Sequence, residues 1–294
     1  MVVSAVLMLT CAAAAQVARA INIHQLTGEE VHQLEAHAQM GNARAMAIVG
    51  IAYADGLGVS KDIKKGLKWL MKSSHNDEVA QAFLGQMYLR GENVPKDLVQ
   101  ARAWFGRSAA LGNLNGQFNY ASMCFNGDGG AQDVDTAAKY FEIAAREGHA
   151  PSQQMIGRMY QFGRGVVQDA EQSLHWYQAA AAQNYPPALF ALGAAYLDGS
   201  LGKRDEAQGV RYLERAAGLG DWTAALRLAN LYLNGEAVAQ NETEAYKWFA
   251  IARELSGADS NPSTSTLAEK MKPTELTVAT QEVSQWNALH FPGK

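Results

Sequence analysis

A block of about 36 residues recurs six times between Gly41 and Gly257, and this repeat constrains the fold more than any other feature. A glycine marks each block, at Gly56, Gly91, Gly127, Gly163, Gly199 and Gly235. An acid or its amide follows, at Asp62, Asp97, Asp133, Asp169, Asp205 and Asn241. A large aromatic residue comes next, at Trp69, Trp104, Tyr140, Trp176, Tyr212 and Trp248. Such a period predicts stacked supersecondary units and not one enclosed core.

The fourth block shows how one unit is expected to fold. From Ser152 to Gly163, apolar and small residues recur at helical spacing, which predicts a helix of about 12 residues. Gly163 should end this helix, because the residue after a helix often has a positive φ that suits glycine. Asp169 can cap a second helix that runs from Ala170 to about Gln183. Each unit is therefore a helix pair that depends on its neighbours for stability.

Two further patterns predict how the helices pack. One face of the second helix in the fourth block carries the residues expected to be buried, which are Ser173, Trp176, Tyr177, Ala180 and Ala181. Glycines also recur inside the first helices, at Gly50, Gly85, Gly157 and Gly193. An interior glycine costs about 1 kcal/mol relative to alanine. Its recurrence predicts that the paired helix approaches too closely to leave room for a side chain.

The N-terminus has a different character from the repeats. Residues 1–20 contain an apolar run, Val2 to Ala15, and end in Ala-Arg-Ala, which is typical of a cleaved secretory signal peptide. The run has no Lys or Arg before it, and it is short for a membrane span. Lipidation of Cys11, which follows Thr10, and a retained anchor or a different start remain as alternatives. Cleavage would leave Cys124 as the only cysteine, without a disulfide partner.

The blocks resemble the Sel-1-like repeat family, which is related to the tetratricopeptide repeats. Residues 45–62, AMAIVGIAYADGLGVSKD, match the family pattern closely, and the resemblance covers residues 41–257. It implies an all-α fold, a right-handed α-solenoid of six helix-turn-helix repeats. Residues 21–40 are then expected to form an N-terminal cap helix. Residues 258–294 are expected to form a loop and a degenerate C-terminal helix pair.

No pattern of residues predicts catalysis, a cofactor or a metal site. The formal net charge is -4, which gives no electrostatic support for nucleic-acid binding. The histidines are scattered, and the glycine-rich turns lack the Gly-Lys-Ser/Thr ending of a phosphate loop. Cys124 takes a repeat position that tyrosine fills elsewhere, which predicts a packed core thiol and not a nucleophile. A cell-envelope hydrolase is kept as a rival, although no convergent acid, base and nucleophile support it.

The resemblance implies that the first helix of each unit lines the concave side of the array. The candidate partner-binding residues on that side are Gln86, Leu89, Arg90, Asn115, Phe118, Ser122, Phe125, Asn126, Gln154, Arg158, Gln161, Phe162, Phe190, Leu197 and Asp198. Aromatic and Arg side chains dominate protein-binding hot spots, which favours a protein partner. The alternative is that the phenylalanines pack as core, most of all Phe118 and Phe190.

These observations favour a non-catalytic protein-binding scaffold that is exported to the periplasm of a Gram-negative bacterium or secreted. The resemblance to exported bacterial members implies a more specific alternative. In that alternative the chain is an immunity protein that neutralises a lipase or other toxin of a type VI secretion system by direct binding. Neither form of the hypothesis requires nucleic acid, a cofactor or stable membrane insertion of the mature chain.

Overall fold

The computed structural model describes residues 25–202, 204–257 and 262–291, and it contains no strand within these ranges. The expected signal peptide and Cys11 lie outside the described residues. The helices are α1 (Gly28–Gln39), α2 (Ala43–Asp55), α3 (Ile63–Ser73), α4 (Glu78–Arg90), α5 (Leu98–Ala110), α6 (Leu114–Asn126), α7 (Val134–Arg146), α8 (Ala150–Phe162), α9 (Ala170–Ala182), α10 (Pro186–Asp198), α11 (Glu206–Gly218), α12 (Trp222–Asn234), α13 (Glu242–Ser256), α14 (Pro262–Lys270) and α15 (Pro273–His290). They follow one another as a tandem α-solenoid of helix pairs.

The chain divides into two compact units, of which the N-terminal unit ends at Ile143 and the C-terminal unit begins at Ala144. In the N-terminal unit, α1 packs on α2 through a core that includes Val31 and Val49. Lys65 of α3 strengthens this contact, because its Nζ lies 2.7 Å from Glu35 Oε1 of α1. The predicted cap helix is thus joined to the first repeat by apolar contacts and by an ion pair.

In the C-terminal unit, a continuous apolar core runs from α9 to α15 and includes Leu192, Leu228 and Val283. The last helix joins it through Trp286, whose ring centroid lies 5.9 Å from that of Trp248. The two helices after the sixth repeat therefore cover the end of the repeat array. They are α14 and α15.

In the fourth repeat, a left-handed glycine and a helix cap hold the turn between the two helices. Gly163 has φ +63°, a left-handed conformation, and its N–H donates to the carbonyl of Met159, which ends α8 as predicted. Asp169 caps α9 by accepting from the N–H groups of Glu171 and Gln172. The N–H of Asp169 also donates to the carbonyl of Tyr160 at 3.0 Å. These bonds satisfy polar groups that a helix end would otherwise leave without partners.

The same closing bond explains how the third repeat tolerates Cys124 in place of tyrosine. Asp133 N–H donates to the carbonyl of Cys124 at 2.8 Å. Since the acceptor is a backbone oxygen, this bond does not depend on which side chain stands at that position.

Close helix packing at the interior glycines is confirmed. A Cβ on Gly85 would lie 2.8 Å from the ring of Phe105, and one on Gly157 would lie 3.0 Å from the ring of Tyr177. The structure adds a glycine that the sequence analysis missed. Gly66 of α3 faces Gly50 of α2, and its Cβ would lie 2.8 Å from the Gly50 carbonyl oxygen.

The predicted buried face of α9 is also confirmed. Its buried residues are Ser173, Trp176, Tyr177, Ala180 and Ala181. Three of the four repeat-position tryptophans belong to the core, since Trp104, Trp176 and Trp248 are 9%, 8% and 4% exposed, while Trp69 is partly buried against it. Burial of these faces against neighbouring helices is the main source of stability for helices of this length.

Candidate protein-binding surface

In the C-terminal unit, the first helix α8 carries the clearest candidate binding surface. Gln154, Arg158 and Phe162 stand four residues apart, so they lie along one side of the helix. Phe162 is 60% exposed, which is unusual for a large aromatic side chain. Arg158 is exposed beside it, and Gln154 is half-buried. This strip combines a guanidinium with an uncovered aromatic ring.

Gln161 fixes the end of α8 in place. Its Oε1 accepts from the buried hydroxyl of Tyr177 at 2.9 Å, and its Nε2 donates to Ser200 Oγ at 3.4 Å. Asp198 Oδ1 in turn accepts from the N–H of Ser200 at 2.8 Å. The ends of α8 and α10 therefore meet, and Gln161 acts as a support for the surface.

Burial of Tyr177 affects its acidity as well as its packing. Its burial raises the pKa to about 12, although the positive charge of Arg158 acts in the opposite direction. The hydroxyl therefore stays protonated and keeps donating to Gln161 throughout the neutral range.

Two candidates on α10 lie against or within the core. Phe190 is partly buried against the core of the C-terminal unit, which agrees with the alternative interpretation of this residue. Leu197 is only 7% exposed, so the expectation that it lies on an open surface is wrong. Its Cγ would lie 2.8 Å from a Cβ on Gly209, which shows that Leu197 fills the space that this glycine leaves.

In the N-terminal unit, α4 contributes Gln86, Leu89 and Arg90. Leu89 and Gln86 are half-buried, and the Arg90 side chain is 59% exposed. Arg90 Nη1 lies 3.5 Å from Glu92 Oε1, and its guanidinium also faces the amide of Gln86. The positive charge of Arg90 is thus partly neutralised by Glu92, which follows just after the end of α4.

Both phenylalanines of α6 are half-buried. Phe118 is half-buried, and its ring centroid lies 5.7 Å from that of Phe141, which is fully buried. Phe125 is half-buried as well, and its carbonyl accepts from Gln132 Nε2 at 2.7 Å. Neither ring is as open as that of Phe162.

The polar candidates of α6 remain accessible. Asn115 and Asn126 are exposed, and Ser122 is half-buried with its hydroxyl donating to the carbonyl of Phe118. Asn126 Nδ2 donates to Asp128 Oδ2 at 3.2 Å. These side chains give this helix a polar surface.

Four residues on α12 hold the same repeat positions and were missed by the sequence analysis. Leu226, Asn230 and Leu233 are half-buried, and Asn234 is exposed. The signal was present in the sequence, because Ala229 takes the place of the interior glycine and the same offsets lead to these residues. They extend the candidate surface of the C-terminal unit.

Neither metal ligation nor thiol chemistry stands out in the described part of the chain. Its His, Cys, Asp and Glu residues form no group of three that could hold a metal ion. Cys124 is fully buried, and this burial raises the pKa of its thiol against the influence of Arg102, whose Nη2 lies 3.4 Å from Sγ. A buried, protonated thiol is a poor nucleophile. None of the described helices has the length and apolar character needed to cross a membrane.

Comparison with known proteins agrees with this architecture. The family model of the Sel1 repeat matches residues 43–77, 79–113, 114–149, 150–185, 186–221 and 222–256. A crystal structure of a Sel1 repeat protein from Oxalobacter formigenes has a TM-score of 0.64 at 29% identity, and the match covers 93% of this chain and 86% of that one. An immunity protein from Pseudomonas aeruginosa has a TM-score of 0.49 at 20% identity, covering 75% and 84% of the two chains.

One curated relative also matches part of the array. The ERAD-associated E3 ubiquitin-protein ligase component HRD3B of Arabidopsis thaliana is 32% identical over 103 residues, which are 34% of this chain and 16% of that protein. Sel1 repeat proteins generally mediate protein–protein interaction and are typically non-catalytic. With six matched repeats over most of its length, the chain belongs to the Sel1 repeat family.

Proposed function

We propose that this protein is a binding scaffold that holds a protein partner on the first-helix face around Phe162. The observation that carries the proposal is the open aromatic ring of Phe162, 60% exposed, one helical turn from the exposed Arg158. The role of Sel1 repeats in protein–protein interaction makes a protein the fitting occupant.

The rigid setting of this strip supports the proposal. Gln161 is held by Tyr177 and by Ser200, so the end of α8 does not need to be ordered when a partner binds. A surface that is already ordered loses less conformational entropy on association. An Arg next to an aromatic ring can also bind a carboxylate with two parallel hydrogen bonds while the ring is covered.

Truncation of this strip should weaken binding without unfolding the protein. We expect Phe162→Ala and Arg158→Ala each to reduce affinity by about 1–4 kcal/mol, the range of interface hot spots. Their melting temperatures should stay close to that of the wild type, because both side chains are exposed. The partner would be isolated by affinity capture from an envelope extract of the source bacterium, and affinities would be measured by isothermal titration calorimetry.

Leu219→Ala is the matched control, because Leu219 is another apolar residue of the C-terminal unit and is 46% exposed. It follows the second helix of its repeat, α11, and so lies outside the proposed first-helix face. This variant should leave affinity unchanged. A large loss of stability with unchanged affinity in Phe162→Ala would place the ring in the core and refute the proposal.

Neutralisation of a toxin is the more specific form of this function. In that form, the captured partner is a hydrolase such as a lipase, and its activity falls when the purified protein is added in equimolar amount. Phe162→Ala would then restore the activity in proportion to its loss of affinity. A partner without enzymatic activity would contradict this form and leave the scaffold form standing.

We also propose, from the sequence of residues 1–20, that the chain is exported and cleaved. The mature protein is then expected to start near Ile21, because Ala18 and Ala20 fit the small-residue preference of signal peptidase. N-terminal sequencing of protein from a periplasmic extract measures this directly. Recovery of the intact chain from the cytosol alone would contradict it.

A further inference from the structure

The second helices of the first two repeats, α3 and α5, carry positive charge and no carboxylate. Helix α3 contains four lysines and α5 contains two arginines, and neither contains Asp or Glu. By contrast, α7 carries two acids and two cations, and α9 carries one acid and no Lys or Arg. The positive charge is therefore specific to these two helices and is not a general feature of the repeat, in a chain whose net charge is -4.

Three of the α3 lysines form a row on the surface of the N-terminal unit. Lys64, Lys68 and Lys72 stand four residues apart, so they lie along one side of the helix over about 12 Å. All three are exposed, and the ion pairs among the described residues include none of them. The fourth, Lys65, is instead paired with Glu35 of the cap helix. We call Lys64, Lys68 and Lys72 the lysine row.

The lysine row does not stabilise its own helix. Like charges four residues apart on a helix repel each other, and the row contains two such pairs. Lys64 also lies in the first turn of α3, where the helix dipole favours anions over cations. An uncharged polar residue with a similar helix propensity, such as glutamine, would avoid both effects. Folding of α3 therefore does not explain three lysines at these positions, which indicates a role in binding.

An exposed apolar side chain and a second basic helix lie beside the lysine row. Met71 stands three residues after Lys68 and seven after Lys64, so it lies on the same side of α3, and it is 38% exposed. His75, just after α3, and Arg107 of α5 belong to the wall of one cavity, which places the ends of these two helices next to each other. Since Arg107 is exposed, it adds to the positive charge on this side of the unit.

We propose that the lysine row docks the N-terminal unit onto an anionic lipid surface. Lysine attracts phosphate groups as a mobile point charge, whereas directed recognition of carboxylates on a protein partner favours the fork of arginine. A bilayer surface is flat, so a straight row on a helix can bring all three charges to the headgroups together. Met71 beside the row can enter the boundary between headgroups and acyl chains.

Nucleic acid is another phosphate-bearing partner, but the aromatic side chains of this surface do not favour it. Single-stranded nucleic acid binds through open aromatic rings on which its bases stack. No aromatic side chain of α3 or α5 is exposed. Trp104 and Phe105 are buried, and Trp69 is half-buried with Lys72 Nζ over its ring, 5.3 Å from the centroid. The surface thus offers charge without a stacking platform.

Combined replacement of the lysine row by Lys64→Gln, Lys68→Gln and Lys72→Gln tests the proposal. The probe is a vesicle of phosphatidylglycerol and phosphatidylcholine in equal parts, and binding of the full chain is measured by co-sedimentation. We expect binding to weaken by about 100-fold, because each lysine near an anionic membrane contributes about fivefold. The melting temperature should not fall, because repulsion along α3 is removed. Vesicles of phosphatidylcholine alone should not bind the wild type.

The matched control removes the same charge from three exposed cations of the C-terminal unit, by Arg227→Gln, Arg253→Gln and Lys270→Gln. This variant should bind the vesicles nearly as tightly as the wild type. Combined replacement of the lysine row by arginine should also keep binding, because the positive charge is retained. Raising the ionic strength from about 0.1 M to about 1 M should release the wild type, since it shortens the Debye length from about 10 Å to about 3 Å.

Two results would overturn the proposal. The first is equal vesicle binding by the glutamine variant of the lysine row and by the C-terminal control variant. The second is absent binding of the wild type to the phosphatidylglycerol vesicles. In that case, row-dependent binding to a glutamate-rich peptide or to single-stranded DNA would assign the row to an acidic protein or to nucleic acid. Phe162→Ala should leave vesicle binding unchanged, so failure here is distinguishable from failure of the proposed function.

Discussion

Trp176→Ala should lower the free energy of unfolding by about 3–5 kcal/mol, the usual cost of truncating a large core aromatic residue. Trp176 is 8% exposed on the buried face of α9. Its Nε1 has no hydrogen-bond partner, so the loss comes from apolar burial and from the cavity left behind. Because repeats stabilise one another through their interfaces, the effect should extend to the neighbouring helix pairs.

Equilibrium unfolding in urea, followed by circular dichroism, measures this loss. His175→Ala serves as the control, because His175 is the exposed neighbour whose ring contacts Trp176 at a centroid distance of 5.0 Å. Trp176→Tyr should cost much less, since Tyr140 and Tyr212 hold the same position in other repeats. A loss below roughly 1 kcal/mol for Trp176→Ala would mean that this residue is not part of the core.

Gly66→Ala should destabilise the first repeat by about 1–3 kcal/mol, the range for overpacking a close contact. The added methyl group would lie 2.8 Å from Gly50 O and 2.8 Å from Ala54 N. Both are backbone atoms of α2, so the clash is not relieved by a change of side-chain rotamer. The two helices would have to move apart, which would also disturb the contact between α2 and the cap helix α1.

Gly106→Ala is the matched control for this change. Gly106 also lies within a second helix, but the nearest atom to its added Cβ is Tyr120 Cε2 at 3.2 Å, in a half-buried side chain that can shift. Alanine is favoured over glycine in a helix by about 1 kcal/mol, so this variant should be neutral or slightly stabilised. If Gly66→Ala and Gly106→Ala change stability equally in thermal and urea unfolding, close backbone contact between α2 and α3 is not the reason for a glycine at position 66.

Most of the helical architecture could be predicted from the sequence, because its signals are local and repeated. The end of α8 at Gly163, the cap at Asp169 and the buried face of α9 follow from helical spacing and from the few residues that satisfy helix ends. Six copies of one pattern reinforce each other, so that a departure such as Cys124 does not obscure the repeat. Period and capping chemistry therefore determined the fold.

Only the tertiary structure decided which residues of the candidate surface are open. One repeat position holds Phe118, which packs against Phe141, and Phe190, which lies against the core, while Phe162 is exposed at a different position about two turns later in its helix. Leu197 was expected at the surface but fills the space beside Gly209. Helical spacing determines the direction of a side chain from its own helix. The approach of the neighbouring helices, which depends on residues distant in sequence, determines whether that side chain is covered.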